Sequence, residues 1–240
     1  MIGRPWGQTL AGSVADDDTV DNQQTYQRMV DYYQRRAPTY DVVYGPSERQ
    51  PDLARVAELL QSLVADRDVL ELAAGTGYWT PTLAATAASV YATDANPAPL
   101  AIAAARDYPR GNVRFGYADA FDLGPVPGEF TACFAGFWWS HVLLADLDRF
   151  VRGVCARVRP GSVVAFLDNR FVPGSSHPIS RTDPEGNTYQ RRQVPDGPAY
   201  DVVKNFPTAA RLLDVACRHS AEAEVAELHF FWLLTLRTGP

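Results

Sequence analysis

The chain has 240 residues, a length that suits one α/β domain and leaves little for a second. Its hydrophobic fraction of 46% and charged fraction of 21% are ordinary for a globular protein in water. The formal net charge of −6 argues against binding along a phosphate backbone, so no nucleic-acid partner is expected. No long apolar run and no signal-peptide pattern is seen, which predicts a cytoplasmic protein without membrane contact.

The cysteines carry little functional information. Cys133, Cys155 and Cys217 are odd in number, widely spaced and set among apolar residues. This pattern indicates buried, reduced thiols and not disulfides. Paired cysteine spacing and a His-x-x-x-His motif are both missing from the sequence, so no metal site is predicted.

The N-terminal part of the chain changes character near Asn22. Residues 1–22 are rich in Gly, Asp and Thr and have no apolar period, which predicts a flexible arm. From there to Pro38, apolar and aromatic residues recur at helical spacing. The expected organisation is an arm over 1–22 and one domain over 23–240, which opens with a helical lid at 23–66.

A strand, a glycine-rich turn and the start of a helix follow one another at residues 69–79. Apart from Glu71 the strand is apolar, as in a parallel sheet that is buried on both faces. The small residues after it let the backbone approach a ligand, with free N–H groups pointing at it. They are Ala73, Ala74, Gly75 and Gly77. The carboxylate of Glu71 needs a partner, which a ligand with hydroxyls or a positive charge would supply.

The glycine pattern distinguishes two kinds of cofactor. A nicotinamide-binding fingerprint is G-x-G-x-x-G, but Thr80 stands in place of its third glycine, and Glu71 would repel a pyrophosphate. The stretch instead resembles motif I of the class I S-adenosylmethionine (SAM) methyltransferases, E/D-x-G-x-G-x-G, read as Glu71-x-Ala73-x-Gly75-x-Gly77. Ala73 replaces the first glycine of the motif. SAM has no phosphate and carries a sulfonium and an ammonium, so it tolerates an acidic site.

Two further acids follow at the ends of later predicted strands. Asp94 stands where an acid can bind both hydroxyls of a ribose. Asp119 matches the family's Asp-Ala-x segment, which implies a bond to the adenine amino group, with Ala120 and Phe121 packing on the ring. The resemblance covers roughly residues 26–237. It implies a SAM site, with S-adenosylhomocysteine (SAH) as product, formed by Tyr33, Tyr40, Glu71, Ala73, Gly75, Gly77, Asp94, Ala95, Asp119, Ala120, Phe121 and Phe137.

The helix before Pro38 carries one more point of resemblance. Tyr33 to Asp41 is similar to the Tyr-Asp-x-x-Ala-x-x-Tyr-Asp segment of ubiquinone/menaquinone-type and related small-molecule methyltransferases, with Gln34 in place of the first Asp. In those families the segment covers the methionine end of the cofactor, which implies this role for Tyr33 and Tyr40. From the residues alone, a helix that packs its aromatic side chains on the core is an open alternative.

The resemblance implies an α/β, Rossmann-like class I methyltransferase fold. This fold has a seven-stranded, mostly parallel sheet with helices on both faces and an antiparallel edge strand. Strands are predicted at 69–72, 89–94, 112–117, 130–136 and 162–167, with one or two more at 222–237. Helices are predicted at 78–88, 96–108, 146–158 and 207–219.

An insertion rich in Gly, Pro, Ser and Arg follows the fifth predicted strand, at residues 171–206. Its patterning predicts a hairpin with arms at 188–194 and 200–205. A loop of this length is usually functional or disordered. Its polar density favours an ordered wall over the site.

Side chains after the fourth and fifth strands are expected at the acceptor site, because ligands of open α/β sheets bind beyond the carboxyl ends of strands. The predicted substrate-binding residues are Trp138, Trp139, Asp168, Asn169 and Arg170, with Arg181 from the insertion. One of the two tryptophans is expected in the core. Arg181, Arg191, Arg192 and Lys204 could bind a carboxylate or phosphate, although a solvated surface explains such residues more often.

Methyl transfer from SAM needs alignment more than acid–base power, because the cofactor is already an activated electrophile. A base helps only where the nucleophile must lose a proton. His141, after the fourth strand, is the first candidate, and a histidine bonded to the backbone is its alternative. His177 in the insertion is the second candidate, whereas His219 and His229 are expected to be structural or exposed.

The predicted function is SAM-dependent methyl transfer to a small-molecule acceptor in secondary metabolism, by a monomer or homodimer. Two alternatives stay open: a SAM-binding protein of the same fold without transfer, and another SAM-dependent reaction such as cyclisation. RNA or protein methylation is disfavoured by the acidic charge. It is also disfavoured because Gly136-Phe137-Trp138-Trp139 stands in place of an Asn/Asp-Pro-Pro-Tyr segment.

Overall fold

The computed structural model describes residues 17–195 and 197–239, with side chains from residue 22 onward. Most of the arm predicted for 1–22 therefore lies outside the described residues. Its last part is helical, because helix α1 begins at Asp17 and ends at Arg36. None of the helices in the described ranges has the length and hydropathy that crossing a bilayer requires.

The remaining helices and the strands follow in chain order. The helices are α2 (Gln50–Val64), α3 (Thr80–Ala84), α4 (Pro97–Ala104), α5 (Leu147–Arg157) and α6 (Ala209–Ala216). The strands are β1 (Asp68–Leu72), β2 (Ser89–Asp94), β3 (Val113–Tyr117), β4 (Ala132–Gly136), β5 (Val163–Asn169), β6 (Arg181–Thr182), β7 (Thr188–Gln193), β8 (Ala199–Val203), β9 (Glu222–Glu227) and β10 (Phe231–Arg237).

The helix predicted over 78–88 is shorter than expected, since only α3 forms there. The chain leaves the helix after Ala84, and side chains from the loop before β3 satisfy carbonyl groups that would otherwise continue it. Arg110 donates to the carbonyls of Ala84, Ala85 and Ala87 at 3.0 Å. Hydrogen bonds from a side chain distant in sequence thus satisfy carbonyl groups that a longer α3 would have satisfied within the helix.

The main sheet has seven strands in the order β3-β2-β1-β4-β5-β10-β9. The first five strands along the chain are parallel, whereas β10 runs antiparallel to both of its neighbours, β5 and β9. The predicted fold class is therefore confirmed. Successive strands also cross the sheet in the order that brings the carboxyl ends of β1, β2 and β4 together.

Both faces of this sheet are covered by helices, as the alternation along β1 shows. Leu70 and Leu72 lie in an apolar cluster with α5 and α6. Val69 lies in a second cluster with α2 and α3 on the opposite face. Helix α2 therefore packs on the sheet, although the sequence suggested that it belongs to a lid over 23–66.

The insertion over 171–206 contains a small antiparallel sheet in the order β6-β7-β8. The hairpin of β7 and β8 matches the predicted arms, and the short strand β6 was not predicted. This sheet packs against α1, where Met29 and Tyr32 join Tyr189 and Val202 in an apolar cluster separate from the main core. The insertion is thus an ordered wall that is fixed to the N-terminal helix.

Candidate functional site

A cavity lies beyond the carboxyl ends of β1, β2 and β4, beneath α1 and a 3₁₀ segment at Ala37–Tyr44. Its volume is about 1140 Å³, including space open to solvent. The predicted cofactor residues that line it are Tyr33, Tyr40, Glu71, Ala73, Gly75, Asp94, Ala95, Asp119, Ala120, Phe121 and Phe137. Gly77 lies behind the lining, where a Cβ would come 2.8 Å from the Cβ of Ala103. We call this space the first cavity.

The loop after β1 has an unusual backbone. Ala73, Gly75 and Gly77 have φ values of 50°, 58° and 74°, in the left-handed region. An L-residue pays about 1–2 kcal/mol for this conformation, so Ala73 keeps the shape of the glycine motif at an energetic cost. The carboxylate of Asp94 holds the loop, because it accepts hydrogen bonds from the backbone N–H of Gly75 at 2.9 Å and of Asn96 at 2.8 Å.

Glu71 is buried at the end of β1 with only 2% of its surface exposed. Its Oε2 has no hydrogen-bond partner among the described residues. Burial raises the pKa of Glu71 to about 8; the nearby hydroxyl of Thr80 acts against this shift, and the carboxylate of Asp94 adds to it. A hydroxyl or a cationic amine of a ligand would supply the missing donor, so Glu71 and Asp94 could hold a cofactor of that chemistry.

One end of the first cavity is aromatic. The ring of Phe121 lies 5.1 Å from that of Tyr26 and 6.4 Å from that of Trp138, measured between centroids. The carboxylate of Asp119 accepts a hydrogen bond from the backbone N–H of Phe121 at 2.8 Å. This arrangement could hold a flat ring against Phe121, with Asp119 at its edge.

Helix α1 and the 3₁₀ segment Ala37–Tyr44 form the cover of the first cavity. The sequence did not reveal how this cover is attached to the glycine loop. Asp41, in the 3₁₀ segment, accepts a hydrogen bond from Oγ1 of Thr76 at 2.5 Å and forms an ion pair with Arg106. Arg106 also donates to the carbonyl of Thr76 at 2.6 Å. We refer to Asp41, Thr76 and Arg106 as the latch. No local pattern signals it, since the contacts of Asp41 join residues 35 and 65 positions apart.

A second cavity adjoins the first and encloses about 1180 Å³, including space open to solvent. The residues that line both cavities are Tyr33, Tyr40, Tyr44, Phe137 and His141. The rest of the lining comes mainly from the cover and the insertion. Its polar and charged members are Arg36, Arg49, Asn169, Ser175, Ser176, His177, Gln190, Arg192 and Lys204. No acidic side chain of the described residues lines this second cavity.

His141 lies where the two cavities meet, and its ring is buried. Its Nδ1 is 2.6 Å from the carbonyl oxygen of Val203. A carbonyl only accepts, so Nδ1 carries the proton, and Nε2 accepts a hydrogen bond from the hydroxyl of Tyr33 at 2.7 Å. Burial and the neighbouring charge of Lys204 lower the pKa of His141 to about 3. The histidine is therefore neutral at pH 7, and it is bonded to the backbone as the alternative interpretation expected.

The other histidines differ in placement. His177 is exposed at the rim of the second cavity. His219 lies 3.0 Å from the carboxylate of Asp148, on the far side of α5, and His229 packs edge-on against Phe230. The sequence prediction that these last two are structural or exposed agrees with their positions.

The two adjacent tryptophans point in different directions, as predicted. Trp138 lines the first cavity. Trp139 is 1% exposed and packs against Phe166 and Trp232 in the core. Neither lines the second cavity, and the prediction that Trp139 binds substrate is wrong because its ring fills the interior of the sheet–helix layer.

Two residues at the end of β5 have different roles: one lines the second cavity, and the other holds a lysine side chain in place. Asn169 lines the second cavity. Asp168 is fully buried and lines neither cavity, which corrects its predicted contact with substrate. Its carboxylate accepts from Nζ of Lys204 at 2.9 Å and from the backbone N–H of Ser140 at 2.8 Å. Asp168 therefore fixes the position of Lys204, which does line the cavity.

The substrate-binding predictions for Arg170 and Arg181 are also wrong. Arg170 pairs with Glu227 at 3.4 Å and donates to the carbonyl of Leu228, so its charge is used outside both cavities. Arg181 is exposed on β6, where its guanidinium lies 3.4 Å from the ring centroid of Tyr189. Both side chains are committed to contacts outside the two cavities.

The fold and the first cavity together define a class of protein. A sheet in this strand order, with a glycine-rich loop after β1 and acids at the ends of β1 and β2, is the architecture of the class I SAM-dependent methyltransferases. The glycine loop and the unpartnered carboxyl of Glu71 fit a cofactor with an amine and hydroxyls and without phosphate.

Comparison with known proteins identifies the family. A family model described as a methyltransferase domain matches residues 69–161. A solved structure of DhpI in complex with SAH is 31% identical over 91% of this chain and 98% of that chain, with a TM-score of 0.74. A complex of DhpI with SAM and HEP gives 30% identity, coverage of 89% and 97%, and the same TM-score of 0.74. The chain belongs to the SAM-dependent methyltransferases, and SAM is its cofactor.

More distant structures share the fold alone. The methyltransferase CcbJ from Streptomyces caelestis is 17% identical, with coverage of 87% of this chain and 98% of that chain and a TM-score of 0.63. The [4+2]-cyclase SpnF is 16% identical, with coverage of 90% and 96% and a TM-score of 0.64. No curated protein sequence matches the chain.

Proposed function

We propose that this protein is a methyltransferase that transfers the methyl group of SAM to a small molecule bound in the second cavity. The observation that carries the proposal is the junction between the cavities. Five side chains line both spaces, so the cofactor site opens into a separate, walled site. A complex of the relative DhpI with both SAM and HEP supports a fold that holds two ligands at once.

The first cavity has a set of hydrogen-bond acceptors that suits SAM. In this proposal Asp94 accepts hydrogen bonds from the ribose, Glu71 meets the amine end and Asp119 with Phe121 holds the adenine. Tyr33 and Tyr40 cover the methionine end. When bound, SAM supplies an activated methyl group. The chain's own residues then have to orient the acceptor and exclude water.

The aromatic junction is suited to that task. Tyr44 stacks on Tyr78 with ring centroids 3.5 Å apart, and Phe137 packs against Tyr44 at 5.6 Å, so the walls are fixed by their own packing. Fixed walls limit the orientations of an acceptor, and alignment of this kind can supply about 7–11 kcal/mol of a barrier. His141 was the first candidate for receiving a proton, but its pKa of about 3 and the hydrogen bond from Tyr33 to its Nε2 make it a poor base. This leaves His177 at the rim as the remaining candidate.

Product analysis tests the proposal. The protein is incubated with methyl-labelled SAM and a panel of hydroxy, amino and carboxylic small molecules, and SAH and labelled products are followed by mass spectrometry. We expect SAH in equal amount to one methylated product. Tight SAH binding without any methylated product across the panel would favour the SAM-binding alternative. An isomerised or cyclised compound of unchanged mass would favour the other one.

Three finer points complete the proposal. A role in secondary metabolism rests on the resemblance to natural-product methyltransferases. A cytoplasmic location and a monomeric or homodimeric state are predictions from the sequence. Size measurement by light scattering tests the last of these.

A further inference from the structure

The second cavity collects positive charge without the acids that would neutralise it. Arg36, Arg49, Arg192 and Lys204 all line it. Among the described residues, the three arginines take part in no ion pair. This is unusual in a chain whose net charge is −6, since acids outnumber bases over the sequence as a whole.

The arginines are held in place by neutral acceptors. Arg36 donates to the hydroxyl of Tyr32 at 2.6 Å, and Arg192 donates to the side-chain carbonyl of Gln190 at 2.6 Å. Arg49 donates to the hydroxyl of Ser175 at 3.0 Å, and its Nε is buried without a partner among the described residues. Each guanidinium is thus positioned while part of its donor set and its full charge remain available.

Lys204 differs from the arginines because it has a counter-charge. It is the only lysine of the chain, and 7% of its surface is exposed. Its ammonium donates to Asp168 at 2.9 Å and to the hydroxyl of Ser140 at 2.6 Å. An ammonium has a further N–H to donate, and because Lys204 lines the cavity, this donor is available to a ligand there.

The positive potential affects the titratable groups around the cavity. Burial lowers the pKa of His177, and the charges of Arg192, Arg36 and Arg49 lower it further. Burial also lowers the pKa of Arg192, and the nearby charge of Arg36 acts in the same direction. Holding like charges together in this way is unfavourable, and a bound anion relieves it.

We propose that the acceptor substrate carries an oxyanion group, a carboxylate or a phosphoryl-type group, which binds in the second cavity to Arg36, Arg49, Arg192 and Lys204. Guanidinium groups match both anions, because paired N–H donors fit two oxygens of either. The proposal rests on the proposed function for the statement that the ligand is the methyl acceptor. The anion site itself depends only on the cavity and its charges.

Anion binding is measured on the SAH-saturated protein at low ionic strength by titration calorimetry. The probes are methylphosphonate, acetate and dimethyl sulfone, the last as an uncharged compound of similar size. We expect saturable binding of at least one anion and none of the sulfone. Tighter binding of methylphosphonate assigns a tetrahedral group to the substrate, and tighter binding of acetate assigns a carboxylate.

Two neighbouring arginines of β7 provide a matched comparison. Successive residues of a strand face opposite sides, and Arg191 is exposed and pairs with Asp201 at 3.3 Å, outside the cavity. Arg192→Gln should weaken anion binding at least tenfold, which is about 1.4 kcal/mol. Arg191→Gln should leave it unchanged. Arg49→Gln is the second test variant, and unchanged SAH affinity shows that each variant is folded.

Absence of saturable anion binding to the wild-type protein would overturn the inference, as would equal losses in Arg191→Gln and Arg192→Gln. These outcomes are separable from the fate of the proposed function. A protein that methylates only uncharged acceptors retains the proposed function and contradicts the inference that the acceptor carries an oxyanion. A protein that binds SAH and anions but methylates no acceptor, charged or uncharged, retains the anion site and contradicts methyl transfer.

Discussion

The hydroxyl of Tyr33 and Nε2 of His141 are 2.7 Å apart, and this hydrogen bond joins α1 to the segment after β4. Both side chains line both cavities, so the bond spans the place where cofactor and acceptor would meet. The tautomer follows from the carbonyl of Val203 on the other ring nitrogen. The hydrogen bond therefore fixes a side chain of α1 to a side chain of the segment that follows β4.

The first prediction concerns the protonation of His141. Because the pKa falls from 6.5 to about 3 in the folded protein, the unfolded chain binds a proton that the folded chain does not between these values. This group therefore makes the free energy of unfolding rise with pH across that window, and stability is lost as pH falls through it. In nitrogen-15 NMR of histidine-labelled protein, His141 should show the Nδ1–H tautomer at pH 7 and no titration down to pH 4.

The substitution Tyr33→Phe tests the hydrogen bond between Tyr33 and His141. Removing the hydroxyl leaves Nε2 buried without its donor, which should lower the free energy of unfolding by about 1–3 kcal/mol. Tyr117→Phe is the control, since Tyr117 is 71% exposed. Equal effects of the two substitutions, or titration of His141 near pH 6.5 in the wild type, would contradict the assignment.

The second prediction concerns Glu71. Its folded-state pKa of about 8 lies above the ordinary value of 4.5, so its contribution to stability is present below pH 4.5 and is lost as pH rises toward 8. Glu71→Gln removes this loss in the cofactor-free protein. The variant should become the more stable form as pH rises, by at most about 1.4 kcal/mol for each pH unit of that window.

The same substitution should weaken SAM binding, because a neutral amide replaces the acceptor offered to the cofactor. We expect at least a tenfold loss, about 1.4 kcal/mol, by titration calorimetry at pH 8. Chemical unfolding at several pH values tests the predicted effect of the substitution on stability. A variant that is less stable than the wild type at pH 8 and binds SAM normally would show that Glu71 has its partner inside the protein.

The third prediction compares two acids of the first cavity. Asp94 is 8% exposed and holds the backbone of Gly75 and Asn96, whereas Asp119 is exposed and bonds only to the backbone of Phe121. Asp94→Ala should therefore cost more SAH affinity than Asp119→Ala. Each charge-assisted hydrogen bond lost is worth roughly 1.5–3 kcal/mol. Equal losses of SAH affinity in the two variants, measured by titration calorimetry, would contradict the assignment of Asp94 to the ribose.

The fourth prediction concerns the latch. Asp41→Asn keeps the size of the side chain but removes the charge that pairs with Arg106 and the strong acceptor for Thr76. The cover should be held less firmly on the glycine loop, with roughly a tenfold loss of SAH affinity. Glu58→Gln is the control, because Glu58 makes an exposed ion pair on α2. Hydrogen exchange of residues 37–44 should accelerate in Asp41→Asn only. Unchanged exchange there would refute the latch.

The main sheet and the first cavity could be predicted because their signals are local. Apolar runs mark β1 and β4, and Glu71 and Asp94 stand at strand ends where a parallel sheet brings ligands. The left-handed backbone of Ala73 also has a local cause, since the residue occupies a glycine position of a recognisable motif. Each of these features can be interpreted within about a dozen residues of sequence.

The second cavity was predicted only in part: the sequence named Arg192 and Lys204 as candidates for binding an anion, but the other charges come from distant parts of the chain. Arg36 ends a helix and Arg49 lies in a short 3₁₀ turn, positions where exposed arginines are common. Arg170 and Arg181 looked equally suitable. Which of them is neutralised depends on partners such as Glu227, and the pair of Lys204 with Asp168 spans 36 positions. Only the folded structure shows which of these side chains form ion pairs and which line the cavity without one.

The small sheet of the insertion shares its apolar cluster with α1 and not with the main sheet. The acceptor wall is thus encoded in two stretches of chain, at the N-terminal end and between β5 and α6, that lie outside the cofactor loop after β1. Replacing residues 171–206 would change most of the acceptor wall, while Glu71, Asp94 and the glycine loop of the SAM site stay unchanged. Proteins of this fold can therefore differ in the acceptor that they bind while they keep the same residues around the methyl donor.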